Sequence, residues 1–168
     1  MIRLCRVEDM KTMFEIINGA ARAYRGVIPE DCYHEPYMTE AELEREMKRV
    51  SFYGWEVDKK LVGVMGIEPI KNITLIRHAY ILPEYQHRGI GKKLLKHLKS
   101  RTRTPRLLVG TWADAHWAIA FYRKHGFNLL PENDKLLAQY WDIPQRQIET
   151  SVVMGLETGR KPKESDGN

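Results

Sequence analysis

Apolar residues in the first fifty positions recur at helical spacing. One set lies three or four positions apart and predicts an amphipathic helix after a short strand over residues 2–5: Met10, Met13, Phe14, Ile17 and Ala21. Thr39, followed three positions later by Glu42, is typical of a capping box that opens a second helix. The segment 24–38 between the two helices contains Gly, Pro and aromatic residues, which indicates a structured loop.

The middle of the chain is rich in β-forming residues. The runs 52–57 and 61–67 are separated by Asp58-Lys59-Lys60, which predicts a hairpin, and a third strand is predicted over 73–82 and ended by Pro83. Residues 89–100 then change to helical spacing, with leucines on one face and lysines on the other. A strand, a crossover helix and a further strand over 106–111 predict a parallel pair.

The last third of the chain predicts a helix and two strands. Asp114 is the expected cap of a helix that continues to His125 and ends at Gly126. Strands are expected over 127–130 and 148–156, with a short helix over 135–141 between them, and residues 157–168 are predicted to be a disordered tail. The element order predicts a single α/β (α+β) domain over 1–156.

Charge and cysteine content narrow the function classes. The net charge is +5, and residues 92–106 contain seven basic side chains and no acid, which indicates a phosphate-bearing partner, either nucleic acid or a cofactor. Cys5 and Cys32 are far apart, and the six histidines lack metal-ligand spacing, so neither a disulfide framework nor a metal site is expected. Without a membrane-length apolar run or an apolar signal core, the expected location is cytoplasmic.

Two glycines, Gly89 and Gly91, lie between the third predicted strand and the following helix. Backbone N–H groups at such a helix start are unpaired and bind anions, and glycine lets a pyrophosphate approach closely. Arg88 and Lys92 add positive charge beside them. Leu94 stands where a dinucleotide fingerprint would need glycine, and no Gly-Lys-Ser/Thr sequence follows, so neither of those phosphate motifs applies.

Two segments resemble motifs of the GNAT superfamily of N-acetyltransferases. Residues 80–95 (YILPEYQHRGIGKKLL) look like its coenzyme A-binding motif, and residues 118–127 (AIAFYRKHGF) resemble its second motif. The resemblance implies a mixed, mostly antiparallel central sheet with helices on both faces and a splayed parallel strand pair. It also implies acetyl-CoA as cosubstrate.

The resemblance assigns cofactor contacts. Backbone groups of Ile81 and Leu82 would bond the pantetheine arm, and an N–H there would polarise the thioester carbonyl. The backbone amides of residues 87–92 would hold the pyrophosphate, and Phe121 would lie beside them. These cofactor-binding residues are Ile81, Leu82, Gln86, His87, Arg88, Gly89, Ile90, Gly91, Lys92 and Phe121. Many relatives carry Asn where this chain has Ala115, so one side-chain contact to the cofactor is absent or replaced.

Catalytic roles follow from the same resemblance and from acid–base chemistry. Tyr122 resembles the family tyrosine that protonates the departing thiolate, and a phenol is protonated at neutral pH. The attacking amine needs a base, because a lysine-like amine is mostly charged at pH 7. Glu68 is the first candidate base, His78 and His116 follow it, and a water chain is the remaining option.

The acceptor is expected against the loop between the first two helices. Its candidate substrate residues are Tyr24, Arg25, Tyr33 and Glu35, which could hold a cationic amine, although an aromatic loop also suits a lid or a homodimer interface. The expected function is acetyl transfer from acetyl-CoA to a primary amine of a small molecule or peptide by direct attack in a ternary complex. A coenzyme A-binding sensor without turnover stays open, and a nucleic-acid-binding module is disfavoured because no aromatics interleave the basic run.

Overall fold

One seven-stranded sheet organises the chain, and a computed structural model describes residues 1–162 of it. The strands are β1 (Ile2–Leu4), β2 (Ser51–Val57), β3 (Lys60–Ile70), β4 (Ile73–Ile81), β5 (Arg106–Trp112), β6 (Asn128–Leu129) and β7 (Ser151–Glu157). They are ordered β1-β2-β3-β4-β5-β7-β6, and every neighbouring pair is antiparallel except β4 and β5.

Helices cover both faces of the sheet. They are α1 (Met10–Ala21), α2 (Glu40–Met47), α3 (Ile90–Arg101), α4 (His116–Lys124), α5 (Asn133–Tyr140) and α6 (Gln145–Glu149). The helices α3 and α4 pack on one face, and α1, α2, α5 and α6 pack on the other. This arrangement confirms the predicted fold class. None of the helices within residues 1–162 is long and apolar enough to cross a bilayer.

Short sequence signals place several of the turns and helix ends. Asp58 and Lys59 both adopt positive φ (49° and 64°), as the two central residues of a tight hairpin turn between β2 and β3 require. The Thr39 hydroxyl accepts a hydrogen bond from the Glu42 N–H at 3.1 Å, which caps α2. Gly126 has φ +93° after α4 and ends that helix as predicted.

Two predicted element starts are wrong. The N-cap of α4 is Ala115 and not Asp114, and it makes no side-chain cap bond. Ile148 lies in α6, which begins after Pro144, whereas β7 begins only at Ser151. Proline fixes φ at a value that suits a helix start, and the helical turn buries Ile148 among the apolar residues below α5.

The last strand extends one residue into the predicted tail. Glu157 pairs with Arg106 across β5 and β7, and the Thr158 N–H donates to the Pro105 carbonyl at 2.9 Å. Residues 163–168 of that tail lie outside the described part of the chain. The domain limits of 1–156 and 157–168 therefore stay a prediction.

The parallel pair β4–β5 opens halfway along its length. Its pairing runs from Ile73 opposite Arg106 to Ile76 opposite Val109. Beyond that point β4 continues to pair with β3 as far as Ile81, while β5 pairs with β7. Residues 77–81 and 110–112 therefore face each other without pairing, and we call this opening the β4–β5 gap.

A β-bulge lies at the edge of this gap. Val64 pairs with Tyr80 and Gly66 pairs with Arg77, so one residue of β3 opposes two residues of β4. One of the two is His78, whose φ of +55° is unusual for a residue with a side chain. Bulges bend a strand away from its neighbour and redirect its side chains, which suits the point where β4 leaves β5.

Candidate active site

The start of α3 leaves backbone donors free at one end of the β4–β5 gap. Gly89 is the N-cap with φ +80°, and the first helical hydrogen bond runs from the Lys93 N–H to the Gly89 carbonyl at 3.1 Å. The N–H groups of the preceding helical residues have no helical acceptor, and the first turn contains no acid. The segment 86–92, which we call the cradle, can therefore hold a pyrophosphate.

Side chains around the cradle leave its backbone accessible. A Cβ on Gly89 would meet no atom within 4 Å, and a Cβ on Gly91 would lie 3.4 Å from the Phe121 ring. The Arg88 guanidinium lies 5.1 Å from the centre of the Tyr85 ring. The structure thus brings Phe121 from α4 to the cradle. A cofactor contact of Phe121 or of Arg88 stays a prediction.

Three of the cofactor-binding residues predicted before Gly89, namely Ile81, Leu82 and Gln86, differ in which of their polar groups are already paired. The Leu82 N–H donates to the Val62 carbonyl and its own carbonyl accepts from Tyr85, both at 2.9 Å, so its backbone is already paired. Because adjacent residues of a strand direct their backbone groups to opposite edges, the Ile81 N–H faces the gap. The Gln86 side chain donates to the Ile81 carbonyl at 3.0 Å, so its amide bridges the two ends of the loop 81–86.

Tyr122 lies on α4 beneath the point where β4 and β5 separate. It is buried in the same cluster as Ile76 and Val109, the last paired residues of those strands. Burial raises the pKa of the Tyr122 phenol. Tyr122 is therefore held as a protonated phenol. Ala115 is fully buried.

A cavity of about 660 Å³ lies on the opposite face of the sheet from the cradle helix. Its floor is the gap end of β4 and β5, and its walls come from α2, the α1–α2 loop and the segment joining α5 to α6. This volume falls in the range of small-molecule sites. We call it the acceptor cavity. Trp141 closes one side, with its indole 3.2 Å from where a Cβ on Gly110 would lie.

Aromatic side chains occupy the end of the acceptor cavity nearest the gap. The Tyr24 ring lies 5.2 Å from the Tyr37 ring and 6.4 Å from the Tyr80 ring. The Trp112 indole donates to the Tyr37 hydroxyl at 2.8 Å. Burial raises the pKa of all three tyrosines, so their hydroxyls stay neutral and the rings can contact a cation.

The other predicted substrate residues lie outside this cavity. The Tyr33 hydroxyl donates to Glu35 at 2.9 Å, and Arg25 lies 3.9 Å from the same carboxylate. Together they line an exposed depression of about 610 Å³ next to the acceptor cavity. Of the four candidates, only Tyr24 reaches the space beside the gap.

The predicted bases are in three different settings. Glu68 is buried and paired with Arg77 at 3.2 Å and with Arg49 at 3.7 Å, so its charge is already compensated. His116 is the exposed first residue of α4. His78 lines the acceptor cavity and lies 3.0 Å from a carboxylate oxygen of Glu46.

Several residues of the acceptor cavity had no signal in the sequence. Glu42, Arg45 and Glu46 come from the polar face of α2, Arg49 follows α2, and Asp142 follows α5. From sequence alone, charged residues on one face of a helix are predicted to face solvent, because neighbouring residues do not indicate that β4 packs opposite them. Among residues 1–162, no group of three His, Cys, Asp or Glu side chains is placed to bind a metal ion.

The sequence and the fold both match known acetyltransferases. Residues 13–127 match the model of the Acetyltransferase (GNAT) family, which covers more than half of the chain. The chain is 27% identical over 142 residues to a spermidine N(1)-acetyltransferase of Thermoplasma acidophilum, which covers 76% of this chain and 88% of that protein. It is also 27% identical over 158 residues to an S-alkylcysteine N-acetyltransferase of Bacillus subtilis, covering 80% and 82%.

Solved structures of similar fold include one with coenzyme A. The PaiA N-acetyltransferase of Thermoplasma acidophilum in complex with coenzyme A superposes with a TM-score of 0.71 at 21% identity, covering 94% of this chain and 98% of that one. The ribosomal-protein-S18-alanine N-acetyltransferase of Escherichia coli gives 0.69 at 17% identity and covers 99% of both chains. At these identities the likeness shows the fold. With the family match, the cradle and the gap, it follows that the chain belongs to the GNAT acetyltransferase family and is an N-acetyltransferase that uses acetyl-CoA.

Proposed function

We propose that this enzyme acetylates the primary amine of a small molecule by direct attack in a ternary complex. The observation that carries the proposal is the β4–β5 gap, which joins the cradle on one face of the sheet to the acceptor cavity on the other. A thioester passed through the gap would meet an amine held in the cavity. Such positioning converts a bimolecular reaction into an effectively unimolecular one.

Two groups at the gap support acetyl transfer chemically. The Ile81 N–H faces the opening and can donate to the thioester oxygen as negative charge develops there. Tyr122 lies below the same opening, and burial raises its pKa, so the phenol keeps its proton until the leaving thiolate takes it. The predicted assignment of Tyr122 as general acid thus rests on its position and on its protonation state.

The acceptor class is inferred from the cavity and from the relatives. The two relatives are named for the substrates spermidine and S-alkylcysteine, and both of these molecules contain a primary amine. The volume of about 660 Å³ suits a small molecule, and the rings of Tyr24, Tyr37 and Tyr80 can hold an ammonium group beside the gap. A peptide amine would need to enter the same space as a terminal group or a side chain.

A panel of amines tests this proposal. Purified enzyme is incubated with acetyl-CoA and separate polyamines, amino acids, S-substituted cysteines, aralkylamines and lysine peptides, and free thiol release is measured with the mass of the product. We expect at least one small primary amine to gain one acetyl group, and calorimetry to detect acetyl-CoA binding without any amine. Binding with no turnover across the panel would favour a sensor, and absence of binding would overturn the proposal.

The remaining predictions concern location and partners. A cytoplasmic location and a homodimer stay predictions, as does the expectation that nucleic acid is not a partner. The basic face of α3 begins at the cradle, with Lys92 and Lys93 in its first turn. This placement supports the view that the basic residues of α3 attract the phosphates of acetyl-CoA.

A further inference from the structure

His78 adopts a strained backbone at the edge of the acceptor cavity. Its φ of +55° lies in the left-handed region, which is unfavourable for a residue with a Cβ. The bulge turns the side chains of both Arg77 and His78 to the face covered by α2, where both contact the same oxygen of Glu46 at 3.0 Å. Strain of this kind concentrates at functional sites, which makes the His78 ring a candidate for chemistry.

The carboxylate of Glu46 fixes the orientation and the tautomer of His78. Burial by itself would raise the pKa of Glu46, but hydrogen bonds from His78 and Arg49 and the charge of Arg77 together hold it below its ordinary value. An ionised carboxylate only accepts hydrogen bonds. The neutral His78 ring therefore carries its proton on Nε2, toward Glu46, and keeps a free lone pair on Nδ1.

The other nitrogen of His78 is open to the acceptor cavity. Within residues 1–162, Nδ1 has no hydrogen-bond partner from the protein, and it is not among the side-chain atoms cut off from solvent. The ring retains 16% of its exposure and lines the cavity. It also lies 5.9 Å from the Phe52 ring, nearly parallel to it, so its orientation is restrained from two sides.

We infer that His78 is the base that takes the proton of the acceptor ammonium, and that Glu46 is its positioning residue. This inference rests on the proposed function, which needs a general base and does not yet name one. His78 precedes Ile81 by three residues, a separation of about 10 Å along an extended strand. The proton therefore reaches Nδ1 through water in the cavity rather than by direct contact.

The proton and bond changes balance without any further reactant. The ammonium gives one proton to His78, and the free amine attacks the thioester carbon to form the C–N bond. The C–S bond then breaks, and the departing thiolate takes the phenolic proton of Tyr122. The second nitrogen proton returns to the Tyr122 oxygen through water, and His78 releases its proton to solvent.

The surroundings keep His78 neutral at working pH. Burial lowers its pKa below the ordinary value, the hydrogen bond to Glu46 opposes this, and the charges of Arg77 and Arg49 lower it further. The ionisable groups of residues 1–162 that share its ion-pair network are Glu46, Arg49, Glu68 and Arg77. The other ionisable groups that line its cavity are Tyr24, Cys32, His34, Tyr37, Glu42, Arg45, Tyr80 and Asp142. With these groups the net result is a neutral imidazole that can accept a proton at pH 7.

The substitution His78→Asn tests the base. Asn tolerates left-handed backbone better than most residues, so the bulge should persist. With the best amine of the panel, we expect kcat/KM at pH 7 to fall by about 10²-fold. For the wild type, kcat/KM should stay level between the pKa of His78 and that of the amine, whereas the variant should rise about tenfold per pH unit because only free amine reacts. Acetyl-CoA affinity should be unchanged by calorimetry.

Two further variants keep the test decisive. Glu46→Gln should move the acidic limb of the wild-type profile to lower pH, because the carboxylate that raises the pKa of His78 is gone. Glu68→Gln probes the competing candidate, and its profile should keep the wild-type shape. A level profile in His78→Asn, or loss of the acidic limb in Glu68→Gln, would overturn the inference. Lack of turnover by the wild type itself would instead count against the proposed function.

Discussion

Two histidines, His78 and His87, adopt left-handed backbone outside the turns of the sheet, and both lie beside the candidate site. Asp58, Lys59 and Lys71 adopt positive φ in the tight turns of the sheet, where such values are expected. His78 and His87 adopt it elsewhere, one at the bulge beside the acceptor cavity and the other in the cradle. Outside those turns, and within residues 1–162, left-handed backbone at a residue with a side chain is found only at these two positions, both beside the candidate site.

Tyr122→Phe removes the proposed acid and leaves the ring in place. We expect kcat to fall by roughly 10²-fold while the free energy of unfolding changes by less than about 1 kcal/mol, because within residues 1–162 the hydroxyl makes no hydrogen bond that the substitution would remove. Steady-state kinetics and denaturant unfolding measure the two effects. The matched control is Tyr140→Phe on α5, outside both cavities, which should leave kcat unchanged. Equal kcat in wild type and Tyr122→Phe would remove Tyr122 from the mechanism.

The proposed donor site depends on two elements, the start of α3 and the separation of β4 from β5. The cradle needs Gly89 at φ +80° so that α3 begins with its N–H groups exposed. It also needs β4 to end away from β5, which the bulge at His78 and the pairing of Leu82 with Val62 ensure. Under this proposal neither element would bind a thioester cofactor alone, because the cradle would hold the phosphates and the gap would admit the pantetheine arm.

Gly89→Asp tests the cradle by adding a negative charge where the pyrophosphate is expected. Asp tolerates the left-handed backbone and the site has room for a side chain, so stability should change little. We expect the Kd of acetyl-CoA, measured by calorimetry, to rise at least about tenfold through loss of anion binding at the helix start. Gly159→Asp is the control, because Gly159 also has positive φ (+75°) and open space but lies beyond β7. An unchanged Kd in Gly89→Asp would place the phosphates elsewhere.

Local sequence signals predicted the elements well where the cause is local. Asp58 and Lys59 gave the hairpin, and Gly126 gave the end of α4, because each depends only on backbone preferences of a few neighbouring residues. The five-residue helix α6 was missed, since Gln145–Glu149 is too short to show a helical period and Ile148 alone looks like the start of a strand.

The candidate site divides in the same way. The helix start at Gly89 could be predicted because the segment 86–92 is one continuous stretch of chain, and the binding of phosphates there stays a prediction. The pairing of Glu46 with His78 joins residues 32 positions apart, and it exists only because the sheet places α2 over the bulge. Glu68 was predicted first for its place at a strand end, and nothing in the sequence showed that Arg77 and Arg49 would pair with it.

At the scale of the whole molecule, the sheet separates the proposed sites of the two substrates. The cradle and α4 lie on one face, the acceptor cavity lies on the other, and the β4–β5 gap is where the two faces meet. Both substrates can therefore be bound at the same time. The chain needs no acetylated enzyme intermediate under this arrangement, because the amine can reach the thioester directly.

Initial rates measured with acetyl-CoA and the best amine, each varied at several fixed concentrations of the other, test this central claim most directly. Direct attack in a ternary complex predicts double-reciprocal lines that intersect, and no exchange of label between acetyl-CoA and coenzyme A in the absence of amine. Parallel lines together with such exchange would show a ping-pong reaction through an acetylated side chain and would contradict the account.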